Sequence, residues 1–172
     1  MKIDIARQPL VPAFMTLFAL AVAAMCAGIP VSDTSGAVRD ALPLLGGQLA
    51  RFQAAYPVWS KFAAGFMLLF TGMCAGRITI RYNLYTVGTC LPIPLYAIVA
   101  CGIATGGNYL AGFAASMLLA LATKNYCRAF CNGYGFDAIF RASLYLGLMP
   151  LVYAPGFPML LLLPLAVLLF RR

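Results

Sequence analysis

The chain contains no histidine and no glutamate, and its only acids are Asp4, Asp33, Asp40 and Asp137. Histidines and carboxylates supply most general acids and bases, and oxygen donors hold hard cations, so these absences leave proton transfer and divalent-metal chemistry without their usual groups. No Gly-rich phosphate loop, nucleophile elbow or HExxH helix is present either. We therefore assign no catalytic residue, no cofactor and no metal site, and the balance leans away from an enzyme. Charge is scarce as well. Only 9% of the 172 residues are charged, whereas a soluble domain carries about 25%.

What fills the space is apolar. Hydrophobic residues make up 63% of the chain and the mean hydropathy is +0.92, so lipid is the expected solvent. A spanning helix needs about 20 residues, which allows about six spans in a chain of this length. The expected fold is an all-α integral membrane protein, a single polytopic domain over residues 1–172.

The spans follow from the apolar runs. The first covers 11–30, after a polar start carrying Lys2 and Arg7; it is longer than the 7–15-residue core of a signal peptide and is read as a retained helix. The second covers 57–76, with Tyr56 and Trp59 at its start where an aromatic belt belongs. The third covers 84–105 and contains Pro92 and Pro94, which predict a kink or local break. The fourth covers 109–123, followed by a polar, glycine-bearing loop. The fifth and sixth, 137–154 and 156–170, form a short hairpin turning at Tyr153–Pro158.

Between the first two spans the pattern changes. Leu42, Leu45, Leu49, Phe52 and Tyr56 recur every three or four residues, while Arg39, Asp40, Gln48, Arg51 and Gln53 fall elsewhere around the helix. This predicts an amphipathic helix lying on the membrane surface over 38–55. Pro43 and the Gly46-Gly47 pair leave a partly irregular or re-entrant segment as the alternative.

The formal charge of +8 is read as membrane sidedness rather than as affinity for nucleic acid. With the N-terminus inside, Lys2, Arg7, Arg77, Arg81, Lys124, Arg128, Arg141, Arg171 and Arg172 are cytoplasmic, and only Arg39, Arg51 and Lys61 lie outside. The positive-inside rule selects this orientation, with both ends cytoplasmic.

Within that frame few residues suggest chemistry. Arg77, Arg81, Lys124, Arg128 and Arg141 could form a basic ring for a lipid phosphate or pyrophosphate. The plainer reading of Arg141 is an i,i+4 pair with Asp137, its side chain reaching toward the headgroups. Ala19, Ala23 and Ala27 stand four apart, a small-residue ridge for close helix packing. Asn83 and Asn108 are expected to cap helix ends. Cys127 and Cys131 are a C-x3-C pair without further ligands, and packing is the expected role of all six cysteines. No charge lies in the middle of any expected span, which disfavours ion pumping.

Three blocks carry a resemblance. They are LPIPLYAIVACG at 91–102, the leucine-rich fourth span ending at Lys124 and Tyr126, and IFRASLYLGLMPLVYAPGFPMLLLLPLAVLLFRR at 139–172. Together, over residues 84–172, they resemble a family of uncharacterised multi-pass inner-membrane proteins of Bacteroidetes. The resemblance implies location and architecture and carries no activity. This chain departs from the pattern in having Arg141 after Phe140, where the family has an aspartate, and the family continues into further spans beyond the arginines that end this sequence.

The function expected first is a non-catalytic membrane subunit or scaffold of a cell-envelope complex. It would work through lipid and through helix contacts with other membrane subunits or further copies of the chain. The alternative is a protein that handles a small molecule or lipid carrier, such as a six-span substrate-capture subunit of a vitamin transporter. A third reading is an enzyme acting on a lipid-linked phosphate through the basic ring.

Overall fold

The computed structural model describes residues 10–26, 43–82, 92–104, 108–131 and 135–170. Seven α-helices run through them: α1 Leu10–Cys26, α2 Leu44–Ala55, α3 Pro57–Arg81, α4 Pro92–Ala104, α5 Tyr109–Cys131, α6 Phe136–Val152 and α7 Leu162–Phe170. A 3-10 stretch, Ala154–Leu161, joins α6 to α7, and no strand occurs among the described residues. The all-helical expectation holds.

Prolines set several of the boundaries. Pro57 opens α3 directly after the bent Tyr56, because a proline at the first helical position gives up only an N–H that has no partner there. Residues 84–91 of the expected third span lie outside the described residues, so the expected kink or break at Pro92 and Pro94 falls at the edge of what is described, where α4 begins. Both lie in its first turn, where the ring costs no hydrogen bond. Pro150 sits inside α6, which ends two residues later at Val152. Residues 154–161, holding Pro155 and Pro158, then wind as 3-10 helix rather than as a plain turn.

Two segments expected as polar connections are helical. α3 continues through Arg77 to Arg81, and α5 continues through Lys124 and Arg128 to Cys131. Polarity there marks a change of surroundings, while the backbone keeps its i→i−4 bonds for as long as no glycine or proline interrupts them.

α3 lies at the centre. It packs against α1, α4 and α5; α5 makes its most extensive contacts with α6, and α2 touches α3, α5 and α6. The ends fix the directions. Ser60 at the start of α3 meets Tyr109 at the start of α5, so these two helices run parallel. Ala111 and Ala114 near the start of α5 share a cluster with Val152 at the end of α6, so those two run antiparallel.

The core is built mainly from small residues. Twelve of the 22 buried hydrophobic residues are alanines, and Phe113 is the one buried phenylalanine among the described residues. Phe14, Phe18, Phe62, Phe66, Phe70 and Phe140 are among those that face outward. α3 shows the division most clearly: Ser60, Ala64, Gly65, Gly72 and Gly76 are buried, while Trp59, Phe62, Phe66, Phe70 and Met73 are exposed. In water the hydrophobic effect would favour the reverse. Among the described residues α3 alone is long and apolar enough, by length and composition, to cross a bilayer. At 25 residues it extends about 37 Å, compared with about 30 Å for a hydrocarbon core.

Candidate functional site

The parallel course of α3 and α5, with α6 returning beside them, puts the C-terminal turns of α3 and α5 and the first turns of α6 at one end of the bundle. Arg77 and Arg81 occupy the last two turns of α3, Lys124 and Arg128 those of α5, and Arg141 the second turn of α6. All five are exposed. The Cys74 thiol lies within the field of both Lys124 and Arg77, so these two cations of α5 and α3 stand at the same end of the bundle. The structure thus gathers the five basic residues singled out from the sequence at a common end.

One acid shares that end. Arg141 donates from Nε to Asp137 Oδ1 at 3.0 Å, the one ion pair among the described residues. Its side chains are 58% and 67% exposed, so it contributes about 0.5 kcal/mol or less. Four cations therefore outnumber the acid beyond that pair. Such an end attracts anions without fixing one in a shaped pocket.

Beneath the basic end lie Tyr126 and Cys127. The Tyr126 hydroxyl is buried without a hydrogen-bond partner. Burial raises its pKa, and the neighbouring Ser143 hydroxyl pulls slightly the other way. Ser143 donates to the Ile139 carbonyl at 2.9 Å, so its remaining lone pairs are open to a small rotation of the tyrosine. Burial also raises the Cys127 thiol, and nearby Cys131 adds to the effect. Cys74, Cys127 and Cys131 are free thiols. Among the described residues, which include only Asp137 of the aspartates, no group of three or more metal-binding side chains occurs.

The opposite end holds contacts that sequence reasoning missed. Gln53, read from the sequence as part of the polar face of α2, is buried, and its Oε1 accepts from the Leu110 N–H at 3.4 Å. It thus serves one of the open donors in the first turn of α5. Ser60, fully buried, shares a 2.6 Å hydrogen bond with the Tyr109 hydroxyl and donates to the Pro57 carbonyl at 2.8 Å. Gly46 is buried against the Val152 carbonyl at the end of α6, where a Cβ would collide with backbone. Its neighbour Gly47 has open space around it, so only the first glycine of the pair serves close packing.

This changes the reading of α2. Its inward face is Gly46 and Gln53, with Leu49 partly buried against the core, while Leu45, Phe52 and Tyr56 of the apolar stripe point outward. Residues 38–42 of the expected surface segment, and Asn83, lie outside the described residues. Asn108 accepts the Gly112 N–H through its backbone carbonyl.

On α1 the helix-facing residues are Ala13, Leu17 and Ala21. Ala19 is exposed; the side chain of Ala23, and Ala27 altogether, lie outside the described residues. Among the described residues, α3 carries a ridge that admits neighbours closely. A Cβ at Gly72 would stand 2.7 Å from Leu17, and one at Gly76 would stand 2.5 Å from Ile93. The four-residue spacing of Gly72 and Gly76 was the available signal for it.

No family model matches the chain, and no curated protein or solved structure matches it either. The resemblance of residues 84–172 to a Bacteroidetes membrane family therefore gains nothing from these comparisons.

Proposed function

We propose that the protein is a multi-spanning integral membrane protein of the bacterial inner membrane, acting as a non-catalytic subunit or scaffold through helix–helix and lipid contacts. The observation that carries this reading is the inside-out distribution of size, with alanine and glycine prevailing between the helices and Trp59 and all described phenylalanine side chains but Phe113 outside. Lipid tails are as apolar as leucine, so helices associate there by close backbone approach, and large apolar side chains remain toward solvent.

In this reading about six spans cross the bilayer with both ends of the sequence cytoplasmic, and α2 lies at the outer interface. The basic end, with Arg77, Arg81, Lys124, Arg128 and Arg141, faces the cytoplasmic headgroups, where each cation near an anionic surface contributes about 1 kcal/mol. The scaffold role is supported by the scarcity of catalytic groups. Its partners are other membrane subunits or further copies of the chain.

Membrane residence is tested by alkaline carbonate washing and flotation with lipid; release into the aqueous fraction would remove the reading. The scaffold role is tested by extraction in mild detergent, which should recover the chain with a stoichiometric partner or as an oligomer. Reproducible isolation of a lone monomer from native membrane would count against it.

A further inference from the structure

Packing, the role expected of every cysteine in the chain, does not account for Cys131. Free cysteine is among the most buried of side chains, yet Cys131 is exposed and Cys127 only half-buried. Both belong to the last turns of α5, which stays helical through Cys131. Ala129, midway between them, is buried. At 3.6 residues per turn each cysteine stands roughly 200° around the helix from Ala129, so the two thiols share the outward face. The Cys127 thiol lies within electrostatic reach of Cys131.

Helical residues four apart have Cβ atoms about 5–6 Å from each other. A disulfide requires about 3.5–4.5 Å, so this pair is too widely set to close on itself while the helix persists. An ion held in line between two thiolates by bonds of about 2.3 Å bridges sulfurs about 4.6 Å apart, which the helical spacing allows. The number of ligands then selects the ion. Thiolates favour Cu(I), zinc and iron–sulfur clusters. Zinc takes three or four protein ligands and the clusters take four, but among the described residues no group of three or more metal-binding side chains occurs. Cu(I) is satisfied by two thiolates in line. Charge fits as well: Lys124 stands three residues before Cys127 and Arg128 three before Cys131, each at neighbour spacing on the helix. Two thiolates around a monovalent ion carry one net negative charge, which these cations offset. The carbonyls at the C-terminal end of α5 favour the ion itself.

We infer that Cys127 and Cys131 form a two-coordinate site for one monovalent copper ion. Binding releases the two thiol protons to water and leaves the metal as Cu(I), so no electron is transferred. The site stands independently of the membrane reading above. Within that reading it faces the cytoplasm, where thiols remain reduced.

The full chain, reduced and in detergent, would be given Cu(I) as its bicinchoninate complex without oxygen, and the copper it withdraws would be counted. The chain has six cysteines, so the site is read as a difference between variants. Cys127→Ser and Cys131→Ser should each withdraw one ion fewer per chain than the unaltered protein. The double variant should lose no more than either single one, because both thiols hold the same ion. Cys74→Ser, on α3 at the same end of the bundle, should lose none. Cys131 is exposed, so Cys131→Ser should keep the helical circular dichroism and the melting temperature, which separates loss of copper from loss of fold. Zinc at equal concentration should not displace the copper, since two thiolates leave its tetrahedron half filled. Single variants that withdraw as much copper as the unaltered chain would overturn the site. So would losses that add in the double variant, which would give each thiol its own ion, or zinc taking the place of copper. A chain that does not float with lipid would remove the membrane reading and leave this outcome as it stands.

Discussion

Helix α3 and the segment from Ala154 to Phe170 are both apolar, yet the fold treats them differently. α3 is enclosed by α1, α4 and α5. The C-terminal segment packs back onto α6 through its 3-10 part, with Gly156 buried against Met149, and α7 makes its main contacts with that 3-10 part. Phe157 and Leu161 are about as exposed as Phe66 on the outer face of α3, near 70%. The C-terminal segment is the more apolar of the two and still acquires fewer neighbours; the supply of small side chains accounts for the difference. α3 presents Ser60, Ala64, Gly65, Gly72 and Gly76 along its buried side, whereas the sequence of the C-terminal segment has Ala154, Gly156 and Ala166 among three prolines and seven leucines. In a medium as apolar as the side chains, shape decides which helix acquires neighbours.

The strongest way to break this contrast is to fill the ridge. Gly76→Leu would drive a side chain into the space held by Ile93, which already comes within 2.5 Å of where a Cβ would stand. Overpacking of this kind costs about 3 kcal/mol, or roughly 6–12 °C in the melting temperature of a chain of this size in detergent. An unchanged melting temperature would show that α4 does not need its close approach to α3. Gly46→Ala is the next largest. Its new methyl meets the Val152 carbonyl, which belongs to backbone and cannot rotate away, so about 2 kcal/mol is expected. Gly47→Ala, which meets open space, should instead be neutral or slightly stabilising, because alanine favours helix. A loss for Gly47→Ala as large as for Gly46→Ala would contradict the packing of α2 on α6.

A smaller effect separates the hydrogen-bonded end of α3 from its apolar length. Ser60→Ala removes the 2.6 Å partner of the Tyr109 hydroxyl at a fully buried position. The expected loss is about 1 kcal/mol, between the average for polar contacts between membrane helices and the cost of an orphaned hydroxyl. Tyr109→Phe made together with Ser60→Ala should recover part of it, since neither partner is then left unpaired. Absence of any recovery in the double variant would place the loss in packing rather than in the bond.

Much of this was legible in the sequence, and what was not has definite causes. The scarcity of charge and the apolar runs announce the helices, and Pro57 and Tyr109 stand where α3 and α5 begin. The polar residues after Gly76 and Thr123 suggest loops, but Arg77–Arg81 and Lys124–Cys131 contain no glycine or proline, and the helices run on. Four-residue spacing of small side chains is visible both at Ala19, Ala23 and Ala27 and at Gly72 and Gly76. The position of the neighbours, Leu17 and Ile93, shows that the second spacing is used. Gln53 reads as a polar-face residue because its partner, the Leu110 N–H, is 57 positions away. Amphipathic periodicity describes one helix, and a long-range cap belongs to two.

The smallest expected effects lie in the C-terminal segment, and they test the contrast from its other side. Phe157, Leu161 and Leu165 are 68%, 71% and 51% exposed. Replacing each by alanine should change stability by about 0.5 kcal/mol or less, a shift of at most about 2 °C. Gly156→Leu should cost more than any of them, because its Cβ would stand 3.1 Å from Met149, the side chain on which the segment folds back. This order, one buried glycine above three large exposed residues, is the same rule seen along α3 at reduced amplitude. A loss of about 2 kcal/mol at Leu161→Ala would reverse it, since truncation of that size follows only when a large side chain is enclosed. The C-terminal segment would then pack as α3 does, against a surface supplied by another chain, and the melting temperature of Leu161→Ala would depend on protein concentration.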